Sequence, residues 1–435
     1  MFFTNREVNW LALHSGLREL AWGLAGVFVF AYLLQAGLSP VGAFLAVSAT
    51  LALRFATRPL AFALIRTRGV RLTLVLGSVL YASQFPVLAA ADASAPWTVA
   101  AYVMVAASAE VFYWTCYHAV FATVGDAGLR GAQVGVRGLI LLSAGAVGPV
   151  TGGLLLATHG PWAFGAATLI ALAAIAPLLR VRVPAVDLAT DHGFRPFRAG
   201  VLLFVTDGFV MCGIGFTWGL IMFEAFDRRF DAFGWLLGAA ALGGAVGGLL
   251  LGRLIDAGHA RRIVWLNLFA MTAMVFLRVG LADSRTGVVI ASVVANALAG
   301  LYSPTLMTAV YNAAKASPCA VRFHYLAEAG WDVGGLAACL TAAALLALGL
   351  PVTWVIVAAL PVIAAQAVML HRCYAPRTKP VALIAGPSST GRTIDAPTID
   401  APTIVAPDRV APGQPRVGNR VARETLEAAA SGRTG

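Results

Sequence analysis

"GGAVGGLLLGRLIDAGHARR", residues 243–262, combines an apolar helix with a charged loop. Gly244, Gly248 and Gly252 stand four residues apart, so on a helix they form a stripe of small residues that lets a second helix approach closely in lipid. Beyond the stripe, Asp256 stands among three arginines. A carboxylate at a water interface can stabilise the N-terminal end of a neighbouring helix while arginines hold it. The stretch therefore predicts a membrane helix followed by a loop whose contacts form in one conformation and break in another.

The whole chain is far more apolar than a soluble protein. Its 435 residues are 59% hydrophobic and 12% charged, with a mean hydropathy of +0.81, whereas soluble domains carry about 25% charged residues. The apolar residues come in blocks of roughly 20, the length of a helix that crosses a bilayer. The net charge of +11 indicates loops that face anionic membrane lipid rather than nucleic acid. We therefore predict a polytopic membrane protein that binds no nucleic acid.

The apolar blocks and the turn residues between them predict twelve spans. Thirteen Lys or Arg residues fall on one side of these spans and three on the other, which is the bias typical of cytoplasmic loops. Both termini are therefore expected in the cytoplasm, and an even number of crossings agrees with that. The spans run at about 19–37, 41–65, 70–91, 97–121, 133–157, 161–180, 199–222, 233–255, 262–282, 286–313, 325–348 and 351–372.

The chain divides into two similar parts and a tail. The longest internal connection separates six spans from six, which gives an N-terminal half (1–180), a cytoplasmic linker (181–198) and a C-terminal half (199–375). Residues 393–407 read "TIDAPTIDAPTIVAP", three near-copies of a proline-containing unit. Such a composition cannot bury a core. We predict that residues 376–435 form a disordered cytoplasmic tail.

Several classes of protein are disfavoured by missing motifs. The five cysteines are scattered, without CxxC pairs or metal-ligand spacing, so neither a disulfide framework nor a metal site is predicted. The sequence has no GxxxxGK[ST] loop for a nucleotide and no clustered His or Asp set that would predict a membrane enzyme. We expect no cofactor. Of the 31 basic residues 29 are arginine, and with abundant Ala and Gly this bias indicates a bacterial genome and hence the bacterial inner membrane.

The charged loop resembles a known family signature. Glycines followed by G-R-x-x-D-x-x-x-x-R-R between two spans are similar to the second-half loop motif of the major facilitator superfamily. The first-half copy should lie in "RPLAFALIRTRGVR", residues 58–71, where Ile65 stands in place of the motif's Asp. The first-half copy of the motif therefore lacks its carboxylate in this chain. The matching second-half residues are Gly252, Arg253, Asp256, Arg261 and Arg262.

A second resemblance covers the predicted fifth span. "GAQVGVRGLILLSAGAVGPVTGG", residues 131–153, is similar to the family's antiporter-type glycine pattern, with Ala144 replacing one glycine. That pattern is commoner among exporters than importers, although a kinked and tightly packed helix in any transporter of the family would explain it equally well. The matching residues are Gly131, Gly135, Gly148, Pro149, Gly152 and Gly153.

Charged residues inside the spans predict three contacts, because a charge near the bilayer centre costs about 2.5–3.5 kcal/mol unless it has a partner or a water-filled cavity. Arg54 and Glu110 lie at similar depth, so we expect them to pair, or to share an anion or a water chain. A fixed structural pair is the alternative. Under the family's arrangement spans 2 and 11 meet, which makes Arg58 with Asp332 or Glu328 a candidate cytoplasmic gate. The third expected contact joins Asp256 to Arg130 or Arg137.

The resemblance implies that spans 1, 4, 7 and 10 line a central cavity. A carboxylate among aromatic rings could hold an organic cation, whereas neutralisation of Glu110 by Arg54 would suit a neutral or anionic solute. Packing is the alternative role of the aromatic residues. His118 is interpreted as a satisfied polar residue rather than a proton relay. The candidate cavity residues, with Arg54, are Glu110, Tyr113, Trp114, Tyr117, Asp207, Trp218, Asn296 and Tyr302.

Taken with the motifs, the resemblance implies an all-α membrane protein of two pseudo-symmetric six-helix halves. Its expected function is secondary transport of a small organic solute by alternating access. Coupling to protons is expected through Glu110 or Asp207, since apolar surroundings favour the protonated carboxylic acid. The glycine pattern favours efflux or antiport by a monomer in contact with membrane lipid. The alternatives are a transporter-like sensor or assembly protein without flux and an integral membrane enzyme.

Overall fold

The computed structural model describes residues 5–124, 130–182, 193–256, 260–300 and 302–374, and these residues contain helices and no strand. The α-helices are α1 (Arg6–Leu24), α2 (Val29–Gln35), α3 (Pro40–Ala89), α4 (Pro96–Val124), α5 (Arg130–His159), α6 (Trp162–Ala173), α7 (Ile175–Leu179), α8 (Arg198–Ala225), α9 (Phe230–Asp256), α10 (Ala260–Gly280), α11 (Arg285–Ala299), α12 (Tyr302–Lys315), α13 (Ala320–Ala347) and α14 (Thr353–Cys373).

Eight helical stretches of the described chain are long and apolar enough to cross a membrane. One of them, α3, has 50 residues, which is about twice the length that a bilayer requires. The chain inside α3 leaves helical geometry at Gly69, with φ 87° and ψ 162°, a conformation open almost only to glycine. Both ends of α3 lie beside α2, because Ala93 N donates to Ala36 O and Tyr32 Oη donates to Ala89 O. The helix is therefore a hairpin of two spans joined at Gly69.

The loops gather at two ends of the helix bundle. At one, called here the near end, Asn5 Nδ2 donates to Val124 O at 3.0 Å and Arg182 N donates to Glu7 at 2.6 Å. At the other, called the far end, Arg285 Nη2 lies 2.7 Å from Asp227. Phe28 and Phe230 also meet there, with ring centroids 6.1 Å apart. The turn between α8 and α9 and the turn between α10 and α11 therefore lie at the same end of the bundle.

The first helix begins earlier than the hydrophobic pattern predicts. It starts at Arg6, whereas the predicted span starts near residue 19. The residues between carry polar side chains, among them Asn9, His14 and Ser15, but these side chains are buried against other helices instead of facing water. Hydropathy reports which residues are present and not where their side chains point. The hydrophobic pattern therefore predicts a span that begins only after these polar residues.

Close glycine contacts join α5 to two other helices. A Cβ on Gly148 would lie 2.8 Å from Gly23 Cα of α1, and a Cβ on Gly152 would lie 2.3 Å from Leu24 O. On the neighbouring face, a Cβ on Gly153 would lie 2.4 Å from Phe230 O of α9 in the other half. The predicted packing surface is therefore present at Gly148, Gly152 and Gly153. For Gly131 and Gly135 the structure describes the helix but not its packing contacts.

Two alanine substitutions in α5 should change stability in opposite directions. Gly153→Ala is expected to lower the free energy of unfolding by about 1–3 kcal/mol, because its Cβ overlaps backbone that cannot move aside easily. Gly145→Ala is the matched control, since nothing lies within 4 Å of its Cβ, and alanine favours a helix by about 0.5–1 kcal/mol over glycine. Thermal unfolding in detergent measures both. Equal changes in the two variants would show that the α5–α9 contact does not depend on glycine.

Candidate functional site

An ion pair is buried between α1 and α4. Arg18 Nη2 donates to Glu110 Oε1 at 2.7 Å, and the two side chains are 9% and 18% exposed. The other oxygen of Glu110 accepts a hydrogen bond from Trp114 Nε1, one helical turn further along α4. Glu110 is thus held by a cation and by a neutral donor at once, and its charge is compensated within the N-terminal half.

Three aromatic rings surround the guanidinium of Arg18. Its Cζ lies 4.1 Å from the ring centroid of Tyr81, 4.0 Å from that of Tyr113 and 4.9 Å from that of Trp114. Such contacts attract a cation to the ring faces. The aromatic face of α4, which the sequence suggested for an organic cation, therefore contains a cation of the protein itself. We call Arg18, Glu110 and these three rings the Arg18 cage.

Further hydrogen bonds continue from the cage toward the near end. His14 contacts Tyr113 Oη at 3.1 Å and Ala174 O at 2.8 Å, and Ser15 contacts Tyr117 Oη at 2.6 Å. These bonds tie α1 to α4 and to the segment between α6 and α7. The hydroxyl groups of both tyrosines are therefore bound inside the half, which fits the packing role that was the alternative for these aromatic residues.

A second charged group connects the two halves. Arg58 of α3 donates through Nε at 2.8 Å and Nη2 at 2.5 Å to Asp332 Oδ2 of α13. Arg54, one turn away, has its Nε 3.0 Å from Asp332 Oδ1. Arg58 is 2% exposed and Asp332 is fully buried. The sequence predicted the contact between Arg58 and Asp332, and its role as a gate stays a prediction. We call Arg54, Arg58, Asp332 and Glu328 the inter-half cluster.

Glu328 belongs to this cluster but is held loosely. It is buried, and its nearest cationic atoms are Arg54 Nη2 at 3.8 Å, Arg58 Nη2 at 3.9 Å and His118 Nε2 at 3.7 Å. All three distances are longer than a hydrogen bond. Asp332, by contrast, takes the short contacts of both guanidinium groups. The two carboxylates of the cluster therefore differ in how firmly they are bound.

The expected direct pair of Arg54 with Glu110 is wrong. Glu110 contacts Arg18, and Arg54 contacts Asp332 across the interface. The physical reason is the early start of α1, which brings Arg18 to the depth of Glu110. The sequence signal that could have found it is the spacing of His14, Ser15 and Arg18, which share one helix face with Leu11.

The C-terminal half holds the remaining candidates in separate groups. Asp207 Oδ1 accepts from Tyr302 Oη at 2.8 Å, and Tyr302 Oη accepts from Gln366 Nε2 at 3.0 Å. Trp218 Nε1 donates to Ser292 Oγ at 3.0 Å. Asn296 bonds to Ser292 O of its own helix. Asp207 and Tyr302 thus meet, whereas Trp218 and Asn296 belong to another contact.

Part of the predicted loop site cannot be placed. Arg262 is exposed at the near end of α10. The structure does not describe the side chains of the other loop residues, so the expected contact of Asp256 stays a prediction. These loop residues are Arg130, Arg137, Gly252, Arg253, Asp256 and Arg261. Within the part of the chain that is described, no group of three or more His, Cys, Asp or Glu side chains is arranged to hold a metal ion.

The halves touch each other at both ends of the bundle. At the far end, the rings of Phe30 and Phe216 are 5.6 Å apart and those of Phe28 and Phe233 are 5.8 Å apart. At the near end, below the inter-half cluster, Phe62 and Tyr325 are 5.3 Å apart. Any path between the halves is therefore narrowed on both sides of the charged residues.

Comparisons with known proteins give a fold but no close relative. No family model matches the chain, and no curated protein matches it. Solved structures do match: a variant of the E. coli fucose:proton symporter FucP has a TM-score of 0.59 at 11% identity, covering 84% of this chain and 98% of that one. A variant of the nucleoside transporter NupG has a TM-score of 0.60 at 10% identity, covering 85% and 100%. The human organic anion transporter TETRAN has a TM-score of 0.56 at 16% identity, covering 84% and 99%.

All three of these proteins are transporters, and none is an enzyme. With 237 matching chains, the likeness shows the transporter fold of the major facilitator type that the loop motif predicted. The eight apolar stretches agree with a multi-pass membrane protein.

Proposed function

We propose that this chain, which has the major facilitator fold, is a secondary transporter that moves a small organic solute by alternating access. The observation that carries the proposal is the inter-half cluster. Arg54 and Arg58 belong to the N-terminal half, whereas Asp332 and Glu328 belong to the other, and all four are buried. Such a contact closes one end of a path while it is formed and opens that end when it breaks.

The proposal divides the molecule into twelve spans and two moving halves, residues 1–180 and 199–375. The two limbs of α3 count as two spans, α1 with α2 as one, α6 with α7 as one, and α11 with α12 as one. Residues 181–198 are the proposed linker. The tail proposed for residues 376–435 lies outside the described residues.

Charge supports a cytoplasmic near end. Three far-end arginines are each paired with an acid: Arg228 Nη2 lies 2.6 Å from Glu224, Arg229 Nη2 lies 2.5 Å from Asp231, and Arg285 lies 2.7 Å from Asp227. At the near end of α3, three exposed arginines stand in a helix that contains no acidic residue. The side with the excess of Lys and Arg is the cytoplasmic side, and the sequence count is thirteen against three in favour of the side that holds these three arginines. The termini are therefore proposed to be cytoplasmic, in the bacterial inner membrane.

The Arg18 cage favours a solute without positive charge. Its carboxylate and its aromatic faces already hold a guanidinium, so a second cation would have to displace it. A neutral or anionic solute needs no such displacement.

Proton coupling is part of the proposal, and the glycine pattern of α5 favours efflux or antiport.

Flux into proteoliposomes tests this function. The probes are radiolabelled fucose, uridine and benzoate, which represent a sugar, a nucleoside and an organic anion, each with and without an imposed pH gradient. We expect at least one probe to move faster than in empty liposomes, with a rate that changes when the gradient is applied.

The test variant is Arg58→Gln, which removes one guanidinium of the inter-half cluster and is expected to lower that rate at least tenfold. Glu224→Gln, at an exposed far-end pair, should leave it unchanged. Correctly inserted protein that moves none of the three probes, and whose halves keep one fixed separation, would instead favour the sensor or assembly protein without flux.

A further inference from the structure

Glu328 has the surroundings of a proton-binding group rather than of a permanent ion pair. It is 7% exposed, and every cationic atom near it stands beyond hydrogen-bond distance. We propose that Glu328 binds the proton that drives the cycle, and that its protonation releases the near end. This inference rests on the proposed alternating-access function and replaces Glu110 and Asp207 as the expected proton carriers.

The charges around Glu328 explain the direction of the effect. Two guanidinium groups of α3, Arg54 and Arg58, face two carboxylates of α13, so the cluster is balanced while both acids are ionised. Protonation of Glu328 leaves two positive charges against the single charge of Asp332. The attraction across the interface falls, because in this buried place the lost charge is not replaced by water.

Asp332 is the less suitable proton carrier of the two acids. Its Oδ2 accepts two hydrogen bonds from Arg58, at 2.5 and 2.8 Å, and its Oδ1 lies 3.0 Å from Arg54 Nε. Protonation of this carboxylate would weaken both of these charge-assisted bonds. Glu110 is likewise held at 2.7 Å by Arg18. Glu328 accepts no such bond, so its protonation breaks no hydrogen bond to a cation.

Two imidazoles stand between Glu328 and the near end. His118 of α4 lies 3.7 Å from Glu328, and its ring stacks on that of His324 with centroids 5.2 Å apart. His324 precedes Glu328 by one turn of α13, and Tyr311 of α12 packs against both rings at 6.4 and 5.8 Å. His118 is a third side chain of the N-terminal half that faces Glu328, beside the two arginines of α3.

Distances between spin labels test the proposal. Labels at Thr67→Cys and Ala316→Cys occupy exposed near-end positions in opposite halves. The exposed Cys373 is replaced by serine, and the other four cysteines are buried. In wild-type background we expect two separations whose ratio shifts toward the longer one as pH falls from 8.5 to 5.5. The limiting slope for one proton is about tenfold per pH unit.

Substitutions of the acid separate its proton from its bulk. Glu328→Gln mimics the protonated acid and is expected to give the longer separation at every pH. Glu328→Asp keeps a titratable group and should keep a pH dependence with a shifted midpoint. Glu224→Gln is the matched control and should titrate like wild type. Size-exclusion profiles and helix content establish that each variant is folded.

The outcomes distinguish this inference from the proposed function. Two separations that respond to pH equally in wild type and in Glu328→Gln would overturn Glu328 as the proton carrier and leave alternating access standing. Two separations whose ratio ignores pH would do the same. A single separation in every variant at every pH would overturn both proposals.

Discussion

Asp332→Asn is expected to cause a large loss of both stability and transport. The amide cannot compensate Arg54 and Arg58, whose nitrogens lie 3.0 and 2.5 Å from the carboxylate. Removing one partner of a buried charged contact costs about 3–5 kcal/mol. We expect the free energy of unfolding in detergent to fall by about that amount, and flux of any transported probe to disappear.

The comparison that isolates the charge is a swap of the pair. Arg58→Asp combined with Asp332→Arg restores the total charge of the inter-half cluster, so it should recover part of the stability and flux that each single variant loses. Asp231→Asn removes a partly exposed far-end acid whose partner Arg229 is exposed, and a surface pair contributes about 0–1 kcal/mol. A swapped variant as inactive as Asp332→Asn would count against a gate at this position.

Loss of Arg18 is the second large effect that we expect. Arg18→Ala leaves the partly buried Glu110 without its cation and opens a space between three aromatic rings. The free energy of unfolding should fall by about 3–5 kcal/mol for the unpaired charge. Added methylguanidinium should raise the thermal stability of this variant, because it can enter the emptied cage and pair with Glu110. Arg6→Ala, at an exposed arginine of the same helix, should show neither change.

A double variant decides whether the Arg18 cage is structural or functional. Arg18→Leu combined with Glu110→Leu removes both charges, and apolar replacement of a buried pair is often neutral for stability. Recovery of stability together with recovery of flux would show that the pair only holds the half together. Recovery of stability without flux would show that the solute or its coupled ion needs this pair.

The sequence predicted the fold because the fold follows from composition and chain length. Apolar blocks of about 20 residues must become helices in lipid, where every backbone polar group needs a partner. The loop motif then identified the fold type, and that type placed Arg58 opposite Asp332. Charge sign and the order of the spans were sufficient for this contact.

The sequence did not predict which charge pairs with Glu110. Arg18 and Arg54 are both arginines near the middle of their helices, and the choice between them depends on rotation and on where α1 begins. The sequence did not show that α1 starts at Arg6, because its first residues are polar. That these polar residues are buried against α4 and α6 depends on tertiary packing. The sequence also could not predict that Glu328 lacks a hydrogen bond to a cation. Its distances to Arg54, Arg58 and His118 exceed hydrogen-bond length by less than 1 Å, and such differences depend on the packed structure.

The charged contacts of the protein differ in whether movement of the halves must break them. Arg18 with Glu110 and the three far-end pairs each lie within one half, so they persist throughout a rocking motion. In the proposed cycle, by contrast, the inter-half cluster has to separate each time the near end opens. Its members are at most 8% exposed, and buried charges are screened little by dissolved salt. The activation barrier for opening the near end should therefore be nearly independent of ionic strength.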